Sequence, residues 1–307
     1  MNSDSCAVPL ERRSCYAAAP MPIPLRSALA TMLADWQDDV PPAWRSVLAD
    51  TTLDPAIVSP TLTLADGEAI WPARRAAPLP GAPSGAYPFR ALEGTAPEAV
   101  RVVVIGQDPY TKVSQATGRA FEQGDVAEWT GRPSPAPSLK RILQCVAEVR
   151  TGDRAYRAAQ GGWGRVLADL RAETLDLEPP RALWDRWAAD GVLFLNAALT
   201  FSRFKSDVRL RGHRPLWRPV VTTILAHLAR RPTGALVVVA WGGDAQQVVA
   251  ASGLEAAATA AGTWRRRVDV VSAPHPNAMT PPFLGRTNRL RDIDATLARL
   301  GGSAVRW

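Results

Sequence analysis

Four short apolar runs constrain this chain more than any other feature: Val102–Ile105, Val192–Leu195, Leu236–Ala240 and Val268–Val271. Each is built of β-branched and aliphatic residues with little polar alternation, the pattern of a strand buried on both faces. Segments with helical spacing lie between them. One, read over 215–230 and opened by Pro215, puts Trp217, Val220, Val221, Ile224 and Leu228 on one stripe. Another, over 286–300, aligns Leu290, Ile293, Leu297 and Leu300. Strands alternating with helices predict an α/β fold of three layers, α/β/α, around a central, mainly parallel four-stranded sheet.

The residues directly after each strand are the informative ones. Val102–Ile105 runs into Gly106-Gln107-Asp108-Pro109-Tyr110, and Val192–Leu195 runs into Asn196. Leu236–Ala240 runs into Trp241-Gly242-Gly243-Asp244, and Val268–Val271 runs into Ser272-Ala273-Pro274-His275-Pro276. Open α/β sheets bind ligands beyond the carboxyl ends of their strands, so these polar groups are expected on one rim. Each also has a plain structural reading. Asp108 fits an N-cap or a turn, because Asp-Pro is a common turn pair. Asn196 fits a strand-end turn, His275 a hydrogen-bonded structural histidine, and Phe121 a core residue. Met279 and Leu284 fit small surface anchors in the Pro-rich loop 274–285.

Composition narrows the partners. Net charge is +7 and the pI is near 9.9, which favours a polyanion, above all nucleic acid. Only Lys112, Lys140 and Lys205 among the 36 cations are lysines. Arginine takes phosphate in a bidentate way, although a lysine-poor proteome gives the same bias. Cys6, Cys15 and Cys145 are too few for a four-thiolate iron–sulfur cluster, and His213, His227 and His275 lack metal-ligand spacing. No metal and no cofactor are expected. No stretch of about 18 residues is free of charge, so no membrane span is expected. The polar N-terminus lacks the apolar core of a leader peptide, and a cytoplasmic location is the expectation. Residues 1–24, rich in Pro, Ala and Arg without period, are expected to form a disordered tail, and 25–307 a single domain.

Taken in order, the motifs resemble those of the family 1 uracil-DNA glycosylases. The resemblance rests on Gly106-Gln107-Asp108-Pro109-Tyr110 followed by Gln115-Ala116-Thr117-Gly118-Arg119-Ala120-Phe121, and on Pro137-Ser138-Leu139. It continues through the strand ending at Asn196, the turn Trp241-Gly242-Gly243-Asp244, and Ala273-Pro274-His275-Pro276 followed by Phe283-Leu284-Gly285. It covers roughly residues 30–307. Two stretches depart from it: Thr111-Lys112-Val113-Ser114, where the family has His-Gly-Pro-Gly, and Asn277-Ala278-Met279-Thr280, where it has Ser-Pro-Leu-Ser. Segment 150–180 is longer than in the family and is read as an insertion.

The resemblance implies a base-excision repair enzyme that hydrolyses the glycosidic bond of deoxyuridine in DNA. It implies Asp108 and His275 as catalytic residues. Gln107, Tyr110, Phe121 and Asn196 would hold uracil. Ser138, Asn277 and Met279 would contact DNA, with Met279 as the wedge behind the flipped base. Ser272 is a further candidate for a phosphate contact. Between Arg203 and Arg218 stand six cations against one acid, Asp207, so Arg203, Arg209 and Arg211 are expected on a phosphate track; a solvated basic face is the alternative. The expected partner is uracil-containing DNA, single- or double-stranded, met by a monomer. The departures at 111–114 and 277–280 leave binding of the family's protein inhibitor an open question. Two other readings stay open: a glycosylase of altered base preference, and a protein that binds uracil-DNA without cutting it. An unrelated nucleotide-binding α/β protein is disfavoured, since no P-loop or Gly-x-Gly-x-x-Gly is present.

Overall fold

A computed structural model describes residues 22–64, 67–202, 210–280 and 282–307. The four apolar runs form one fully parallel sheet, extended by one or two residues each: Val102–Gly106, Val192–Asn196, Leu236–Trp241 and Val268–Ala273. In space the second strand comes first, then the first, third and fourth. Val102 pairs with Val192 and Val237, and Leu236 with Val268, so all four strands end on the same rim.

Alternation along each strand divides the core into two layers. Val103, Ile105, Leu193, Leu195, Val238 and Ala240 face one side, where they meet Leu216, Trp217, Val220, Ile224 and Leu228 of helix Leu210–Ala229. Leu25, Leu29, Trp36 and Trp44, from the N-terminal segment, pack into the same layer. Val102, Val104, Val192, Phe194, Val237 and Val239 face the other side. There they meet helices Pro137–Thr151, Pro180–Ala189 and Arg289–Arg299. A sheet covered on both faces by apolar helix stripes is the α/β/α sandwich that the unalternated runs predict.

Helix 215–230 needs correction. Within the described residues it runs from Leu210 to Ala229, with Pro215 and Pro219 inside it rather than at its first position. Tertiary anchoring explains why the helix tolerates them. His213 is buried and its ring nitrogens bond Thr200 Oγ1 at 2.9 Å and Ser202 Oγ at 3.1 Å. Trp217 Nε1–H donates to the same Thr200 hydroxyl at 2.7 Å. These bonds fix the turn that carries Pro215 onto the strand Phe201–Ser202, which pairs antiparallel with Ile70–Trp71. The C-terminal helix is shorter than expected, Arg289–Arg299, and is opened by an Asn288 side chain that accepts from Leu290 N–H.

Of the segment 1–24, residues 1–21 lie outside the described residues. Ile23 and Pro24 pair with Leu64 and Thr63. Segment 150–180 holds a short turn, Arg154–Arg157, and a helix, Gly162–Arg171. Its buried Arg157 pairs with Glu148 and donates to the carbonyls of Gly285 at 2.6 Å and Thr287 at 3.0 Å. The segment therefore braces the downstream end of the loop that carries His275. Among the described residues, no helix is long and apolar enough to cross a membrane.

Candidate active site at the sheet rim

In this strand order the chain leaves the first strand in one direction and returns past it to build the third. A crevice opens where the order reverses, between the ends of the first and third strands. A cavity of about 550 Å³ occupies that place. Gln107, Asp108, Tyr110, Phe121, Ser138, Asn196 and His275 all line it. Four strand ends and two loops thus bring together residues up to 168 positions apart in the chain.

Close packing at Gly106 sets Asn196. The two residues are register partners on adjacent strands. A Cβ on Gly106 would stand 2.5 Å from the Ala120 Cβ and nearer still to the Asn196 amide oxygen. Only glycine leaves the Asn196 side chain, 2% exposed, where it is. Past the strand end, Ala197 N–H donates to Gly106 O at 3.0 Å and Ala198 N–H to Gln107 O at 3.2 Å, so the two strand-end loops are tied to each other.

Phe121 sits at φ 61°, the left-handed region, which a bulky residue enters only when its surroundings impose it. Here Ala120 N–H is tied to Phe194 O at 2.9 Å, and the Tyr110 hydroxyl reaches Phe121 O at 3.4 Å. The ring lies 6.4 Å from that of His275 and 6.0 Å from that of Trp241, and the residue lines the cavity. Tyr110 is itself held by Trp71, whose Nε1–H donates to Tyr110 O at 2.9 Å.

His275 follows the fourth strand. Its Nδ1 accepts from the backbone N–H of Asn277 at 3.0 Å, which places the ring proton on Nε2. Burial pushes its pKa below the usual imidazole value; Asp244 opposes this and Arg141 adds to it. The ring is thus a neutral Nε2–H donor aimed by its own loop. Gly242, at φ 95°, lets the neighbouring turn approach, since a Cβ there would stand 2.8 Å from the His275 Cβ. Asn277 and Met279 share the loop and both meet Arg141 of helix Pro137–Thr151. Arg141 Nη1 donates to Asn277 Oδ1 at 2.7 Å, and Nη2 lies 3.2 Å from the Met279 sulfur. Met279 is 71% exposed, an apolar side chain standing out from the loop that carries His275.

Asp108 is the cavity's inner carboxylate, 10% exposed, and it does not stand alone. Arg214 grips both of its oxygens, Nε to Oδ1 at 3.2 Å and Nη2 to Oδ2 at 2.7 Å. The remaining Nη1 reaches Asp244 at 3.1 Å. Sequence reasoning did not single out Arg214. It belongs to the basic run 203–218, but nothing in the spacing distinguishes it from its neighbours. Trp71, Arg141 and Phe201 were likewise missed. Of the expected phosphate track, Arg203, Arg209 and the Arg211 side chain lie outside the described residues.

A parallel sheet with a cavity at its switch point, lined by a carboxylate, an amide, an imidazole and an aromatic face, defines an α/β protein built to hold a small planar polar ligand. The model of the uracil DNA glycosylase superfamily matches residues 93–291. A uracil-DNA glycosylase of Bordetella petrii is 30% identical over 287 residues, covering 90% of this chain and 89% of that one. The chain belongs to the uracil DNA glycosylase superfamily. Solved structures share the fold. A wild-type UNG from Nitratifractor salsuginis superposes with a TM-score of 0.55 at 22% identity, over 89% of this chain and 97% of that one. A mimivirus uracil-DNA glycosylase gives 0.57 at 14% identity, over 95% of each.

Proposed function

We propose that this protein removes uracil from DNA by hydrolysing the C1′–N1 bond of deoxyuridine, in the manner of the family 1 enzymes, leaving an abasic site in a base-excision repair pathway of the cytoplasm. The observation that carries this reading is the convergence of Asp108, Asn196 and His275 on one cavity at the switch point. A duplex hides the bond, so the nucleotide must be flipped outward to enter the cavity.

As the bond stretches, its electron pair moves onto uracil N1 and the sugar becomes oxocarbenium-like. Asp108 supplies negative charge below the sugar and takes a proton from the water that adds to C1′. The anion spreads to uracil O2, where the neutral His275 Nε2–H donates. A donor of this kind is worth on the order of 100- to 1,000-fold in rate. The Asn196 amide accepts from N3–H and donates to O4. Cytosine presents the reverse pattern and would leave both groups unpaired in a buried place, which discriminates far more than shape. Phe121 offers a face for the base to stack on, and Tyr110 stands where a 5-methyl group would go. Gln107, fixed by its carbonyl to Ala198, contributes through its backbone.

Met279 enters the space vacated by the flipped base, a use for which an apolar flexible side chain is suited. Ser138, which lines the cavity, and Asn277, two residues beyond His275, take backbone phosphates. A strand-nicking assay tests the reading: a labelled oligonucleotide with one deoxyuridine is incubated with the protein, then treated with alkali. Cleavage at that position supports it, and an intact strand under all buffers and salts refutes it. Parallel oligonucleotides carrying hypoxanthine, xanthine or mismatched thymine separate uracil specificity from a shifted base preference.

A further inference from the structure

The ion pair on Asp108 conflicts with the role proposed for it. A carboxylate that must face a cationic sugar and accept a proton from water has both oxygens committed to a guanidinium. That guanidinium also places a positive charge next to the place where positive charge must develop. Arg214 is 25% exposed and so is reachable from outside. Its third contact, to the half-exposed Asp244, gives it a second anchor on which to pivot.

A second hollow, of about 260 Å³, lies behind Arg214 and shares Asp244 with the catalytic cavity. It is lined by Arg214 and, one helical turn on, the exposed Arg218, together with Thr222, Gln247 and Ser252. Its polar lining is two guanidiniums, the Thr222 hydroxyl, the Gln247 amide and the Asp244 carboxylate in a largely apolar wall, the Ser252 hydroxyl being already bonded to Val249 O. The guanidinium forks are what would take a phosphate there, as readily as carboxylate. Its position is set from inside the fold. His213, one residue earlier, is pinned to Thr200 and Ser202, which turns Arg214 out toward the rim.

We infer that Arg214 is a positioning residue operated by the substrate's backbone: in the free protein it holds Asp108, and a phosphate flanking the flipped deoxyuridine draws it into the Arg214–Arg218 hollow, freeing a carboxylate oxygen for water. The inference rests on the proposed role of Asp108. It makes turnover depend on a backbone charge at one link beside the target, through the chemical step rather than through binding alone. In protein without DNA the carboxylate stays paired.

The test is a cycle between Arg214 and that charge. Single-turnover uracil release is measured at saturating enzyme, with a normal or an uncharged methylphosphonate link on the 5′ or the 3′ side of deoxyuridine. In the wild type, neutralising one of the two links should slow release by about tenfold or more, and in Arg214→Gln by less than about twofold, a coupling within the usual range for contacting groups. Arg214→Lys keeps the charge but not the fork. Should the glutamine variant fail to melt cooperatively, the lysine variant serves, with a penalty at least about halved from that of the wild type. Equal penalties in the wild type and the folded variants at both links overturn the inference. Asp108→Asn, run alongside, separates the two claims. Loss of its activity with equal penalties refutes only the Arg214 latch, whereas full activity refutes the role of Asp108 on which the latch rests.

Discussion

Gly106→Ala is the sharpest test of how the fold sets specificity, because it adds one methyl group and touches no reacting atom. The added Cβ would stand 2.5 Å from the Ala120 Cβ and closer to the Asn196 amide oxygen, where ordinary contact is 3.4–4 Å. One neighbour must therefore give by about 1 Å. The backbone cannot yield easily, since Gly106 and Asn196 are register partners and Ala197 N–H is bonded to Gly106 O. The Asn196 side chain is the part free to turn. A displacement of about 1 Å at a reacting centre costs on the order of 100-fold in rate, and overpacking costs about 1–3 kcal/mol in stability. Single-turnover release from a uracil oligonucleotide should accordingly fall about 100-fold at 25 °C, while thermal unfolding shows a stable protein melting some degrees lower. The loss should fall in the rate of release more than in DNA affinity, because the phosphate contacts are untouched. A folded Gly106→Ala protein with wild-type release would refute the claim that this glycine positions the base-reading amide.

Two further perturbations address separate parts of the molecule. Burial lowers the pKa of His213 to about 4, against about 6.5 when unfolded, so the unfolded chain binds more protons between these values. Stability is full above pH 6.5 and falls as pH drops toward 4, by up to about 3 kcal/mol from this residue. Urea midpoints across that window should show the slope, and His213→Gln should flatten it; an unchanged slope in the variant would show that other groups carry it. Tyr110→Ala should open the cavity beside uracil C5 and allow release of thymine from a mismatch. A folded, uracil-active variant that leaves thymine untouched would remove Tyr110 as the methyl gate.

The parts that could be read from the chain are those governed by local pattern. Strands buried on both faces leave apolar runs, and a parallel sheet sends the residue after each run to a common rim, so Asp108, Asn196 and His275 could be brought together on paper. Helix Leu210–Ala229 was misjudged because Pro215 is a strong start signal, while the bonds from His213 to Thr200 and Ser202 that override it are tertiary. The Arg214–Asp108 pair was invisible for a similar reason. It spans 106 positions, and in sequence Arg214 is one cation among six. The tautomer of His275 likewise depends on an Asn277 N–H that only the folded loop supplies. Spacing can place a residue on a rim, but it does not say what that residue's partner will be.

The most direct measurement is the quantity of free uracil released by the wild type and by Asp108→Asn from the same deoxyuridine-bearing oligonucleotide, with DNA affinity recorded in parallel. The account predicts ready release by the wild type and a loss of about 100- to 10,000-fold in the variant, with binding retained. Release that is absent in the wild type, or equal in the two proteins, would contradict it.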